Sequence, residues 1–127
     1  MAEDRRGLKI KEDGLGEVQI AEEVITIIAG LAATEVEGVC SMGGNITKEL
    51  VSRLGMKNLS KGVRIEVDEE DKVQGYVTIN IAYGYAIPEV SRNVQEKIKS
   101  AIENMTGLEV SGVNVRIADV DMKGAAE

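Results

Sequence analysis

Histidine, tryptophan and phenylalanine are absent from this chain of 127 residues, which carries one cysteine, one proline and three tyrosines. Without histidine it lacks the commonest general base and the commonest metal ligand, leaving only carboxylate or lysine chemistry. Cys40 has no intrachain partner, so no internal disulfide supports the fold, and none is expected to be needed in a reducing compartment. The missing large aromatics dictate an aliphatic core of Val, Ile, Leu, Ala and Met, with few of the aromatic anchors that dominate binding hot spots. A long apolar run is missing too. The stretch Val24–Ala33 is broken by Thr26 and Gly30 and flanked by glutamates, short of the roughly 20 residues a membrane span needs. MAEDRRGLKIKEDG at the start has charges of both signs and no apolar centre, so it does not read as a signal peptide. The expected location is the cytoplasm.

What is present is acidic and ordinary in composition: 43% hydrophobic, 29% charged, formal net charge −7. That charge disfavours sequence-independent nucleic-acid binding, which draws its affinity from Lys and Arg on phosphates. The length suits one domain. Residues 1–15 read as a flexible leader, 16–120 as one domain and 121–127 as a disordered tail.

Periodicity supplies the elements. Gly16–Ile20 alternates as a short strand. Ala21–Glu37 has helical spacing through Val24, Ile25, Ile28, Leu31, Ala32 and Val36, and stops at Gly38. Its apolar stripe is wide enough to be covered on more than one side. Val39–Ser60 is looser, with Asn45 placed to cap a short helix over Ile46–Leu54. Gly62–Asp68 and Val73–Tyr85 alternate as a hairpin around the polar turn Glu69–Lys72. Pro88 starts a second helix, striped by Val90, Val94, Ile98, Ala101, Ile102 and Met105 and ended by Gly107. Leu108–Val120 is a last strand. The order β-α-(short helix)-β-β-α-β is that of an α+β, split βαβ (ferredoxin-like) two-layer sandwich.

Four stretches carry a resemblance: EEVITIIAGLAATEVEGV at Glu22–Val39, KGVRIEV at Lys61–Val67, YGYAIPEVSRNVQEKIKSAIENMTGLEV at Tyr83–Val110 and VNVRIADV at Val113–Val120. In this order the chain resembles the alkaline shock protein/Gls general-stress family of bacteria, mostly Gram-positive. The resemblance implies a non-enzymatic, cytoplasmic protein of envelope stress and homeostasis, with no catalytic residues and no cofactor. It also implies recruitment to the membrane in some members by a separate anchor protein.

The acidic cluster Asp68–Asp71 lacks the spacing and glycine of an EF-hand and reads as a solvated turn. Cys40 has no neighbouring positive charge in sequence and reads as a small buried hydrophobe. No glycine run spells a phosphate loop. Lys48, Arg53, Lys57, Lys61 and Arg64, against Glu49 alone, form a candidate basic patch for anionic lipid, nucleic acid or an acidic neighbour. Tyr83 and Tyr85, on one face of their strand, together with Pro88, Arg92, Asn93, Gln95, Glu96 and Lys99, form the candidate partner surface. The expected function is contact with a protein partner, a membrane anchor among the candidates, or with copies of the same chain. One alternative is an RNA- or nucleoid-associated module using Lys48–Arg64. Another is a regulatory subunit of a metabolic enzyme, such as one of lipid synthesis, or an enzyme working through carboxylates.

Overall fold

A computed structural model describes residues 7–42 and 62–122. The chain runs β1 (Gly7–Asp13), β2 (Gly16–Ala21), α1 (Glu22–Thr34), β3 (Val39–Met42), β4 (Val63–Val67), β5 (Val73–Ala82), α2 (Ile87–Thr106) and β6 (Val110–Asp121). The α+β class is found; the strand order is not that of the split βαβ fold.

β5 organises the main sheet. β3 and β4 pair antiparallel with its two halves along one edge, and β6 pairs parallel along the other. The crossover from β5 to β6 is the 20-residue α2, the kind of long connection that parallel neighbours require. A ferredoxin-like order would put the strand before α1 between β5 and β6, but those two bond directly. That strand, β2, pairs instead with β1 in a separate hairpin, from Gly7 opposite Ala21 to Asp13 opposite Gly16. Gly7–Asp13, within the expected flexible leader of residues 1–15, is therefore a strand. Only Ile20 of β2 is even half-buried, which is too little apolar surface to hold a central place in a sheet. The expected short helix over Ile46–Leu54 and the last residues of the tail lie outside the described residues, while Asp121 belongs to β6.

The core is aliphatic, as the composition requires. Val73, Val77, Ile79 and Ile81 of β5 point inward and meet Ile25, Ile28, Ala29, Ala32 and Ala33 of α1 and Val90, Val94, Ile98 and Ile102 of α2. Both helices thus lie on one face of the sheet. The opposite face is polar, with Arg64, Glu66, Gln74, Tyr76, Thr78, Asn114 and Arg116 at the positions that alternate with the core residues.

Helix ends follow local chemistry. Glu22 and Glu23 occupy the first turn of α1, where the helix dipole favours negative charge. Pro88 sits in the first turn of α2, where a missing N–H has no helical partner to lose. α2 stops at Gly107, whose φ of 78° is left-handed and whose N–H donates to Glu103 O at 2.9 Å. Thr106 Oγ1 donates to Ile102 O at 2.6 Å and accepts from Leu108 N at 3.0 Å, and Glu103 Oε2 accepts from Val110 N at 3.0 Å. The Met-Thr-Gly-Leu wording is a helix stop that aims the chain into β6.

Candidate functional site

The partner surface expected from the sequence starts at the corner between β5 and α2. β5 ends at Ala82, not at Tyr85, so the two tyrosines do not share a strand face. Tyr83 and Gly84 form a turn, and Gly84 takes the left-handed backbone at φ 101°. Tyr83 N donates to Asp121 O at 3.0 Å, which ties the corner to the end of β6. Tyr85 folds back over Gly38, and its hydroxyl donates to Glu37 Oε2 at 3.4 Å. Tyr83 is 60% exposed, Tyr85 43% and Ile87 42%; Met122, just past the end of β6, is 54% exposed. Exposed large side chains thus gather at one corner, two of them among the three tyrosines of the chain.

From that corner an exposed stripe runs along α2. Pro88, Arg92, Gln95 and Lys99 recur at helical spacing on one face, with Glu96 beside them, and all are exposed. Gln95 is tethered, its Nε2 donating to Val113 O of β6 at 3.0 Å. Asn93 and Glu96 line a shallow hollow of about 430 Å³ with Lys97, Ser100, Ala101 and Asn104. Lys97 Nζ lies 3.6 Å from Glu35 Oε1, pinning α2 to the end of α1. The structure thus brings Tyr83, Tyr85 and Pro88 together at the corner and sets Arg92, Gln95, Glu96 and Lys99 along a continuous strip. Asn93 stands apart, on the side of the hollow.

The basic patch is only partly visible. Lys48, Arg53, Lys57 and Lys61 lie outside the described residues. Arg64 is on the polar sheet face, its Nη1 2.7 Å from Glu66 Oε2 and its guanidinium 4.1 Å above the Tyr76 ring. Tyr76 in turn donates to Glu66 Oε1 at 3.4 Å. The charge of Arg64 is therefore already matched locally.

In the acidic turn, Asp68 Oδ1 accepts from the backbone N–H of Glu70 and of Lys72, each at 2.9 Å. That carboxylate holds its own turn, in which Asp71 is left-handed at φ 64°. Among the described residues no group of three His, Cys, Asp or Glu is placed to hold a metal ion. Cys40 is half-buried in β3, where a bulge turns it toward β5 and its Sγ donates to Asn80 O at 3.3 Å. Burial pushes its thiol pKa up and the Asp121 carboxylate adds to this, while a hydrogen bond from Ser41 pulls the other way. Such a thiol stays protonated and unreactive at neutral pH.

A family model of the alkaline shock/Gls24 group, described as having a cell envelope-related function, matches residues 10–122. The chain belongs to the alkaline shock/Gls24 family. The resemblance read from the four sequence blocks is thereby borne out. Relatives in this family include YqhY, an uncharacterised protein of Bacillus subtilis (strain 168). It is 39% identical over 89% of this chain and 83% of its own length. Spy1535, an uncharacterised protein of Streptococcus pyogenes, is 32% identical over 84% of this chain and 80% of its own length. A protein of the same species named stress response regulator gls24 homolog is 28% identical over 85% of this chain and 60% of its own length. No solved structure matches the chain significantly. Among the described residues no helix is long and apolar enough to cross a membrane.

Sequence reasoning missed Ile87 and Met122 as parts of the corner, because helical spacing puts Ile87 on the same side as Val94 and Ile98. In the structure Ile87 is exposed instead. The pairing of β1 with β2 carried a faint signal in Leu8 and Ile10, both half-buried against the core.

Proposed function

We propose that this member of the alkaline shock/Gls24 family serves the cell envelope by docking, without a reaction of its own, and that the Tyr83–Pro88 corner with the adjoining strip of α2 is the docking surface. The observation that carries this reading is the exposure of Tyr83, Tyr85 and Ile87 side by side. Tyrosine at such a place supplies a large, stiff, amphipathic contact, the kind of anchor that dominates protein interfaces. The third tyrosine, Tyr76, is engaged by Arg64 and Glu66, so the corner holds the two remaining aromatics. Arg92, Glu96 and Lys99 would supply a polar rim of both signs beside it. Residence in the cytoplasm, with attachment to the membrane through an anchored protein, is part of the same reading. The nucleic-acid alternative finds less support, because Arg64 already faces a carboxylate.

The test is a Tyr83→Ser/Ile87→Ser variant expressed in the native host. Both side chains are exposed and Tyr85 is left in place, so folding and abundance should match the wild type. The variant should lose its share of the membrane fraction and its ability to complement a deletion strain under envelope stress. A folded variant that keeps both would overturn the proposal.

A further inference from the structure

β6 is a 12-residue strand at the edge of the main sheet, and among the described residues it has a strand partner on one side only. Its inward residues show the consequence. Val113, Val115, Ile117 and Val120 are half-buried, whereas their neighbours on β5, Val77, Ile79 and Ile81, are 3%, 0% and 1% exposed. Side chains stand in where a further strand would bond: Gln95 Nε2 on Val113 O, and the Asp119 carboxylate accepting from Val120 N at 2.8 Å. No proline or lysine guards the strand, and its charges are Arg116, Asp119 and Asp121.

The bulge in β6 matters here. Arg116 is in register with Thr78 and Asp119 with Asn80, so the extra residue Ala118 brings Arg116 and Asp119 onto the same, polar face of the sheet. Both are exposed. Now let a second β6 run antiparallel about a two-fold axis between Ile117 and Ala118. Arg116 of each copy then faces Asp119 of the other, and Val115 faces Val120 on the apolar face. The overlap is centred away from Val113, the carbonyl that Gln95 covers. The strand is thus complementary to itself in both charge and apolar surface, as a two-fold interface requires.

We propose that β6 is a dimerisation edge, joining two copies of this chain into one continuous sheet through antiparallel β6–β6 pairing with reciprocal Arg116–Asp119 contacts. This surface is separate from the Tyr83 corner and stands without it. The occupant is a second copy because opposite charges on a same-face pair within one strand are matched by that strand reversed, whereas an unrelated strand has no reason to match them.

The experiment is sedimentation equilibrium of the full chain at about 0.15 M salt, where exposed charges more than about 8 Å apart are screened. Wild type, Arg116→Glu, Asp119→Arg and the Arg116→Glu/Asp119→Arg double variant are compared, with circular dichroism confirming that each is folded. The wild type should be dimeric. Each single reversal sets two like-charge contacts across the axis and should weaken the dimer by about tenfold or more, and the double variant should regain it. Tyr83→Ser should leave the dimer intact. A monomeric wild type, a dimer indifferent to the single reversals, a double variant without rescue, or loss of the dimer in Tyr83→Ser would each overturn the proposal.

Discussion

Tyr85 rests its ring over the bare α-carbon of Gly38: a Cβ there would lie 3.0 Å from the ring and 2.7 Å from Val90 Cγ2. Gly38 is also left-handed, at φ 101°. The end of α1, the corner after β5 and the first turn of α2 thus meet at one residue that can carry no side chain, and the exposed Tyr83 and Ile87 stand two residues to either side of Tyr85 in the chain.

Gly38→Ala should therefore do more harm than Gly84→Ala. Gly84 shares the φ of 101°, but nothing lies within 4 Å of its missing Cβ. Strain alone should cost Gly84→Ala about 1–2 kcal/mol, while strain plus the overlap with Val90 and Tyr85 should cost Gly38→Ala about 2–4 kcal/mol. Urea unfolding of the two variants gives the comparison; equal losses would mean that Tyr85 yields freely.

In the stop of α2, Thr106 is buried and its hydroxyl serves both Ile102 O and Leu108 N. Thr106→Val keeps the shape and leaves the Leu108 N–H without a partner, for an expected loss of about 1–3 kcal/mol. Thr106→Ser keeps the hydroxyl and should recover most of the hydrogen-bonding part of that loss in the same unfolding assay.

Spacing alone puts Ile98 and Met105 on one side of α2, at positions i and i+7. The structure separates them, with Ile98 at 1% exposure and Met105 at 69%. Ile98→Ala should cost about 2–5 kcal/mol, and Met105→Ala should stay within about 0.5 kcal/mol. A large loss at Met105 would place the end of α2 against something further.

The raised thiol of Cys40 gives a pH-dependent expectation. A proton held more tightly in the folded state favours folding below the unfolded thiol's pKa, about 8.5, and that contribution is lost as pH rises through the folded value. Alkylation of the folded protein by iodoacetamide at about pH 8, just below that unfolded value, should lag behind that of the urea-unfolded chain. Asp121→Asn removes a neighbouring negative charge and should speed it. Equal folded and unfolded rates would contradict the burial of the thiol.

Much of this was legible in the residues because one physical signal sufficed. Alternation in Val63–Val67 and Val73–Ala82, the proline at the start of α2 and the glycine after it each determine structure locally. What the residues concealed was tertiary. β3 is only four residues long and bulged, so Val39–Met42 has no clean period. α1 ends at Thr34 rather than running to Glu37, because the chain tightens through Val36 N to Ala33 O and then turns through Gly38, closed by Val39 N to Val36 O. The place of β2 outside the main sheet depends on which strand claims β5, and that contest is decided by buried area across the whole molecule. At the candidate site, the tyrosine pair and the wording of α2 were visible, but only the fold showed that the Tyr85 ring also packs on Gly38 while Tyr83 is the more exposed of the two.

The most direct check on docking at this corner is photocrosslinking in living host cells, with a benzophenone side chain placed at Tyr83 or, for comparison, at Glu69 in the acidic turn. Tyr83 should give one dominant protein adduct and Glu69 none of that size. Adducts that do not differ between the two positions, or none from Tyr83 in cells where the protein is abundant, would contradict it.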